Sequence, residues 1–280
     1  MLKKMLLLMA WGLLPCQPSA AWQQVVLDCY ALTESSGLAA STLDRNVVWT
    51  HNDSGDRPRL FAFSRDGEWL AEVELEGAKA YDWEDMCSFQ RDGKSYLAVG
   101  DVGDNSRGRS TVVIYVFEEP PLEGLSKRLL PKLRISKLET IEVVYPTGAV
   151  DCESLAYDPR LDRFLLATKE LPRCRLFTCD AHPAATKQPL VAECEQTLIL
   201  PLTTAADISP DGSRLVIATY GPACLLTRGA DKTWETPADT LELPPRRQGE
   251  TICFADGGSK LLLTSEFVPT PLWTLPVPTK

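Results

Sequence analysis

A short pattern recurs five times along the chain: an acidic residue, then a brief, mostly apolar run of β-forming residues. It reads ESSGLAAS from Glu34, EDMCSF from Glu84, ESLAYD from Glu153, DISPDG from Asp207 and ETICFADG from Glu250. Self-similarity at this spacing implies one supersecondary unit used repeatedly, which narrows the fold more than any other feature. Each start is followed by a second β-rich run with a polar end: VVWTHND (47–53), LAVGDVGDN (97–105), LLATKE (165–170), VIATYG (216–221) and LLTSEF (262–267). Third runs follow in all five units and fourth runs in the first four. No sustained helical period interrupts them. The fifth unit reaches Lys280 without a fourth strand, and WQQVVLDCY at 22–30 can supply it.

Four-stranded units arranged radially, the last closed by an N-terminal strand, describe a β-propeller. The expectation is therefore an all-β chain, a single domain over 22–280, built as a five-bladed propeller. The interval before Glu153 is 69 residues, the longest of the four, and leaves room for a sixth blade as the alternative count.

Chain direction alone places two sets of polar residues on one face of such a propeller. The innermost strand of each blade lines the channel, and the loop entering it opens on the same side as the loop between the second and third strands. Glu34, Glu84, Glu153, Asp207 and Glu250 would then stand near the axis, one from each blade. Like charges this close need compensation. A hard divalent cation provides it, and calcium suits an all-oxygen set of six to eight ligands better than magnesium does. The alternative is that each carboxylate only caps a turn or accepts backbone N–H bonds.

The ends of the second strands supply the candidate ligand-binding residues: His51, Asn52 and Asp53; Asp101, Asp104, Asn105, Arg107 and Arg109; Lys169 and Glu170; Tyr220; and Glu266. The loop GDVGDNSRGR is the densest. It lacks the closing acid of an EF-hand and reads either as a Gly/Asp/Asn turn or as a grip in which Arg107 or Arg109, with His51, Arg57 or Lys169, holds an anionic group on the metal. No G-x-S-x-G elbow or Walker loop is present. Two histidines, His51 and His182, are too few for a multi-histidine zinc centre. No nucleophile is singled out, so the catalytic residues are unknown.

Residues 1–21 carry Lys3 and Lys4, an apolar run from Met5 to Leu14 and a small-residue end at Ser19, Ala20 and Ala21, the pattern of an export signal. Pro15 makes Cys16 a poor lipid-attachment site. Eight cysteines remain after cleavage, an even count that favours disulfides in an exported chain, with Cys179 and Cys194 on adjacent strands as the expected pair; the alternative is buried free thiols. Net charge is −9, or −11 without Lys3 and Lys4. An acidic chain without a basic run is a poor ligand for nucleic acid or anionic membrane. A periplasmic or secreted monomer is expected, its partner a small anionic molecule or another protein.

The starts ESSGLA, DWEDMC and DCESLAYD, with HNDSG and GDVGDN, resemble secreted propellers of the phytase-like or SdiA-regulated type over most of residues 30–180. One acid per blade also resembles the calcium-dependent apyrases, five-bladed hydrolases of nucleoside di- and triphosphates. That resemblance implies metal ligation by Glu34, Glu84, Glu153, Asp207 and Glu250. Two readings follow: a calcium-binding module that recognises an anionic ligand or partner at one channel mouth, or a calcium-dependent hydrolase of phosphate esters or nucleotides.

Overall fold

In the computed structural model, which describes residues 22–123, 130–182, 188–236 and 238–278, five largely antiparallel sheets radiate from a central channel. The first strand of the chain, β1 (Gln23–Leu27), is held over for the last blade. Blade 1 runs outward through β2 (Ser35–Ala40), β3 (Val47–Asn52), β4 (Arg59–Ser64) and β5 (Trp69–Leu75). Blade 2 has β6 (Trp83–Arg91), β7 (Lys94–Asp101) and β8 (Val112–Glu118); after β9 (Lys132–Ile135) it is completed by β10 (Glu139–Val144). Blade 3 has β11 (Cys152–Asp158), β12 (Arg163–Thr168) and β13 (Cys174–Asp180); after β14 (Leu190–Val191) it is completed by β15 (Glu193–Leu198). Blade 4 is β16 (Thr203–Ile208), β17 (Arg214–Thr219), β18 (Ala223–Thr227) and β19 (Asp239–Leu241). Blade 5 is β20 (Cys253–Ala255), β21 (Lys260–Thr264) and β22 (Thr270–Pro276), closed by β1 in antiparallel register from Gln23 opposite Thr274 to Leu27 opposite Thr270.

Among the described residues, the long interval before Glu153 forms no sixth blade. Its extra strand, β9, adds in parallel to β5 at the outer edge of blade 1 before the chain returns as β10. Blade 3 repeats the detour: β14 adds in parallel to β10 of blade 2. Each detour covers an otherwise open sheet edge and stitches a blade to its predecessor.

Period-two alternation builds the core, because successive side chains on a strand point to the two flanking blades. In β3, Val48 packs into the layer shared with blade 5, while Val47 and Trp49 pack into the layer shared with blade 2. Five such apolar layers, one per blade junction, make up the interior. The cysteines are small apolar fillers of these layers. All eight from Cys29 to Cys253 are free thiols, so the expected disulfides are not formed. Cys194 lies opposite Phe177, two residues away from Cys179, and is exposed while Cys179 is buried. The segment expected to be an export leader, with Cys16, lies outside the described residues. Among those described, no helix is long and apolar enough to cross a membrane.

Side chains on the inner strands fasten them to the neighbouring blade. Ser36 Oγ donates to Glu84 O at 2.8 Å, Thr203 Oγ1 to Thr168 O at 2.7 Å, and Thr204 Oγ1 to Gly249 O at 2.9 Å. The fully buried Asp85 accepts Met86 N at 2.8 Å on its own strand, Leu155 N of blade 3 at 3.0 Å and Ala206 N of blade 4 at 3.3 Å.

Candidate functional site

The inner strands of the first four blades share one irregularity. Each has a bulge near its start, and the extra residues are Ser36, Glu84, Glu153 and Thr204. A bulged residue leaves the ladder and its side chain is re-aimed. Here the re-aimed carboxylates of Glu84 and Glu153 stand at the channel mouth, 4% and 2% exposed. Glu34 lies two residues before its blade's bulge and is exposed.

Asp207 departs from the expected ring. It lies three residues beyond the bulge residue Thr204, toward the other end of β16, and lines a cavity of about 720 Å³ at the opposite mouth with Ala40, Ser88, Tyr157 and Phe254. Its Oδ1 accepts Ile208 N at 2.8 Å and its Oδ2 accepts Phe254 N of blade 5 at 2.7 Å, while burial raises its pKa to about 7. It is a blade fastener. The ring with one acid from each blade, as the apyrase resemblance implied, is therefore not formed.

Asp53 takes the central place instead. Oxygens of Asp53, Glu250 and Glu266 lie within 4.8 Å of one another, and so do oxygens of Asp53, Asp82 and Glu84. Burial raises Asp53 to about 6, with Glu250, Asp82 and Glu34 adding like charge. Burial and then Glu153, Asp53, Asp82 and Glu250 hold Glu84 well above the usual carboxylate range. Glu266 is raised to about 8 by burial and its bond and charge contacts with Glu250. Glu153 is raised to about 8: desolvation outweighs the attraction of Lys169, whose Nζ donates to Glu153 Oε2 at 3.0 Å. The other oxygen of Glu153, Oε1, is buried without a hydrogen-bond partner.

A neutral frame supports these acids. Tyr220 Oη donates to Glu250 Oε1 at 3.0 Å, and Gln248 Nε2 donates to Glu250 Oε1 at 3.0 Å and Glu266 Oε1 at 2.9 Å. Gly103 closes over the cluster from the β7–β8 loop. A Cβ there would come 2.2 Å from Glu84 Oε1 and 2.6 Å from Asp82 Oδ2, so only glycine permits this approach.

Several expected ligand-binding residues are structural. Asn52 Oδ1 accepts Thr33 N and Glu34 N, and its Nδ2 donates to Ala31 O and Asp56, which leaves no group free for a ligand. His51 is fully buried beneath Gly37 and edge-on to Trp83; burial lowers its pKa to about 4, so it is neutral near pH 7 and no anion grip. Asp101 accepts Tyr81 N and Asp82 N and pairs with Arg109 at 2.8 Å. Asp104 shapes its own loop through Gly108 N and Arg109 N, and Glu170 is tied to Arg175 at 2.8 Å. Arg57 pairs with Glu72, on a different strand pair. Asn105 and Arg107 remain exposed on the rim, Arg107 with φ of +52°.

Gln248 and Gly103 escaped the sequence reading. Asp82 and Asp151 each stand two residues before a bulged glutamate, Glu84 and Glu153. Asp151 Oδ1 accepts Asp104 N at 3.2 Å, which joins the loop of blade 2 to blade 3.

No protein-family profile matches the sequence, and no curated protein is significantly similar to it. Among solved structures, a gluconolactonase from Xanthomonas campestris is similar over 92% of this chain and 98% of its own, with a TM-score of 0.50 and 14% identity. The Dos1 propeller aligns over 86% of this chain and 68% of its own at a TM-score of 0.41 and 11% identity. At these identities the likeness is one of fold, and it gives no support to the phytase-like or SdiA-regulated resemblance. The chain is a five-bladed β-propeller with an acid-lined mouth.

Proposed function

We propose that this propeller binds calcium at its acidic mouth and holds a small anionic ligand on the cation. The observation that carries the reading is Glu153 Oε1, buried and unpartnered on a carboxylate that feels the charges of Glu84 and Glu250, which belong to the two acid groups that meet at Asp53 with Asp82 and Glu266. A buried carboxylate oxygen without a partner is costly unless something positive meets it. The donor set fits a hard cation, being all oxygen and able to supply the six to eight ligands calcium takes. Lys169 and Arg109 are the cations next to the acids, and Arg107 is exposed on the same rim. They offer an anion its second set of contacts. Export of a monomer belongs to the same proposal.

Elemental analysis of the purified chain and a calcium titration test it directly. The expected result is one calcium per chain, lost in Asp53→Asn. Absence of calcium, together with a melting temperature indifferent to chelator, would refute it.

A second reading, metal-dependent hydrolysis of a phosphate ester, nucleotide or lactone, draws support from the whole-length likeness to a gluconolactonase. In that chemistry a bound cation polarises the substrate oxygen and lowers the pKa of water. Glu153 would take the proton of the attacking water at Oε1, held in place by Lys169 at Oε2. Turnover of phosphate esters and lactones that disappears with chelator and in Glu153→Gln separates this reading from binding alone.

A further inference from the structure

We propose that the anion held at the acidic mouth carries a planar aromatic group, received by the exposed rings of Tyr81, Tyr220 and Phe267. This rests on the cation reading and extends it to the class of ligand.

Three blades each place one exposed aromatic ring beside the acids. Tyr81 is 68% exposed and precedes Asp82; Tyr220 is 45% exposed and bonds Glu250; Phe267 is 45% exposed and follows Glu266. Each ring carries a cation: Arg109 lies 4.9 Å from the Tyr81 centroid, Lys169 5.2 Å from that of Tyr220, and Arg247 5.0 Å from that of Phe267. Each ring thus adjoins an acid of the mouth, by chain neighbourhood or by hydrogen bond, and has a basic side chain on its face. Phe267 is also held at φ of +73°, a left-handed conformation a bulky residue rarely adopts. An exposed aromatic in a strained turn offers nothing to the interior, so its role lies outward.

Charge and shape together select the occupant. The acids take the cation, the cation and the three basic side chains attract an anion, and rings already fixed by Arg109, Lys169 and Arg247 present flat apolar surface at low entropic cost. An alkyl anion satisfies the charges and leaves the rings wet. An aryl phosphate or carboxylate satisfies both.

The test uses phenylphosphonate and methylphosphonate, which share the anionic group and resist hydrolysis. Calcium is titrated first, alone, and each phosphonate then into the calcium-loaded chain by calorimetry. Phenylphosphonate is expected to bind about fivefold tighter, the size of one stacked aromatic pair. That ratio should fall to about twofold, the share left to Tyr220, in Tyr81→Ala/Phe267→Ala and survive in Tyr81→Phe and Phe267→Tyr, with calcium affinity unchanged in all of them. If calcium binds but the two phosphonates bind equally, if neither binds, or if the ratio survives the double alanine change, the aromatic inference is overturned while the cation site stands. If calcium itself does not bind, both fall.

Discussion

Replacing Glu84 by Gln keeps the side chain's shape and removes one charge from the centre of the acid cluster. Glu84 is 4% exposed, and one of its oxygens lies within 4.8 Å of oxygens of Asp53 and Asp82. Two unit charges at that separation, in an effective dielectric of about 20, repel by about 3.5 kcal/mol. With two such neighbours the ionised metal-free cluster is strained by several times RT, and protonation relieves only part of the strain. The pKa of Glu84 is raised above its usual 4.5, so ionisation opposes folding. For a carboxyl shifted in this direction the penalty is absent below the unfolded pKa and grows as pH rises through the folded one.

Glu84→Gln should therefore be more stable than wild type by about 2 kcal/mol in chelator at pH 8, and equal to it at pH 4. Calcium should reverse the order. The wild type gains about 2.7 kcal/mol at one hundred times its Kd, and the variant, short of one ligand, gains less than about 1 kcal/mol. Urea unfolding followed by tryptophan fluorescence, at both pH values with EDTA or calcium, reads all four corners. A variant less stable than wild type in chelator at pH 8 would show that the protein itself satisfies the Glu84 charge. Equal stabilisation of both chains by calcium would show that the cation sits elsewhere.

Asp207→Asn should leave calcium affinity within about twofold of wild type, whereas Asp85→Ala, which strands Leu155 N and Ala206 N, should cost about 3 kcal/mol in denaturation. Gly103→Ala drives a Cβ against Glu84 Oε1 and should weaken calcium at least about tenfold in titration, with the circular dichroism spectrum unchanged. The imidazole of His51 should titrate near pH 4 by NMR; because its folded pKa lies below the unfolded 6.5, its share of stability is lost as pH falls from 6.5 through 4. Thiol labelling of the native chain should modify Cys194 first and the buried thiols only after unfolding, and intact mass should show no disulfide.

The blade count was legible because every unit repeats an alternating strand pattern, and a closing N-terminal strand follows from one missing strand at the other end. The position of the acids was less legible. Glu84 and Glu153 are true equivalents, but Glu34 and Asp207 had been aligned with them by charge, and the ladder shows that Ser36 and Thr204 hold those places. A bulge shifts register by one residue, and composition carries no mark of it. Asp53 was visible only as part of a polar loop, since its role depends on the β3–β4 loop reaching the acids of blades 2 and 5. The cysteine count misled for a related reason: a thiol packs as a small apolar side chain, and an even number of fillers looks like a set of pairs.

The inner strands hold two kinds of acid, and hydrogen bonding separates them better than burial does. Asp85 and Asp207 are both enclosed and both raised in pKa, yet both oxygens of each accept backbone N–H groups, including some from neighbouring blades. Those bonds give each carboxylate a structural reason to exist, and no cation is required. Among the described residues, Glu84 and Glu153 share the burial without backbone donors of this sort, and the charges acting on them are mostly other acids. Lys169 reaches one oxygen of Glu153 and leaves Oε1 bare. Acids on the inner strands of blades 2, 3 and 4 thus differ between the two ends of the channel: Asp85 and Asp207 fasten the blades through backbone N–H groups, whereas Glu84 and Glu153 face mainly other acids, the feature on which the proposed cation site rests.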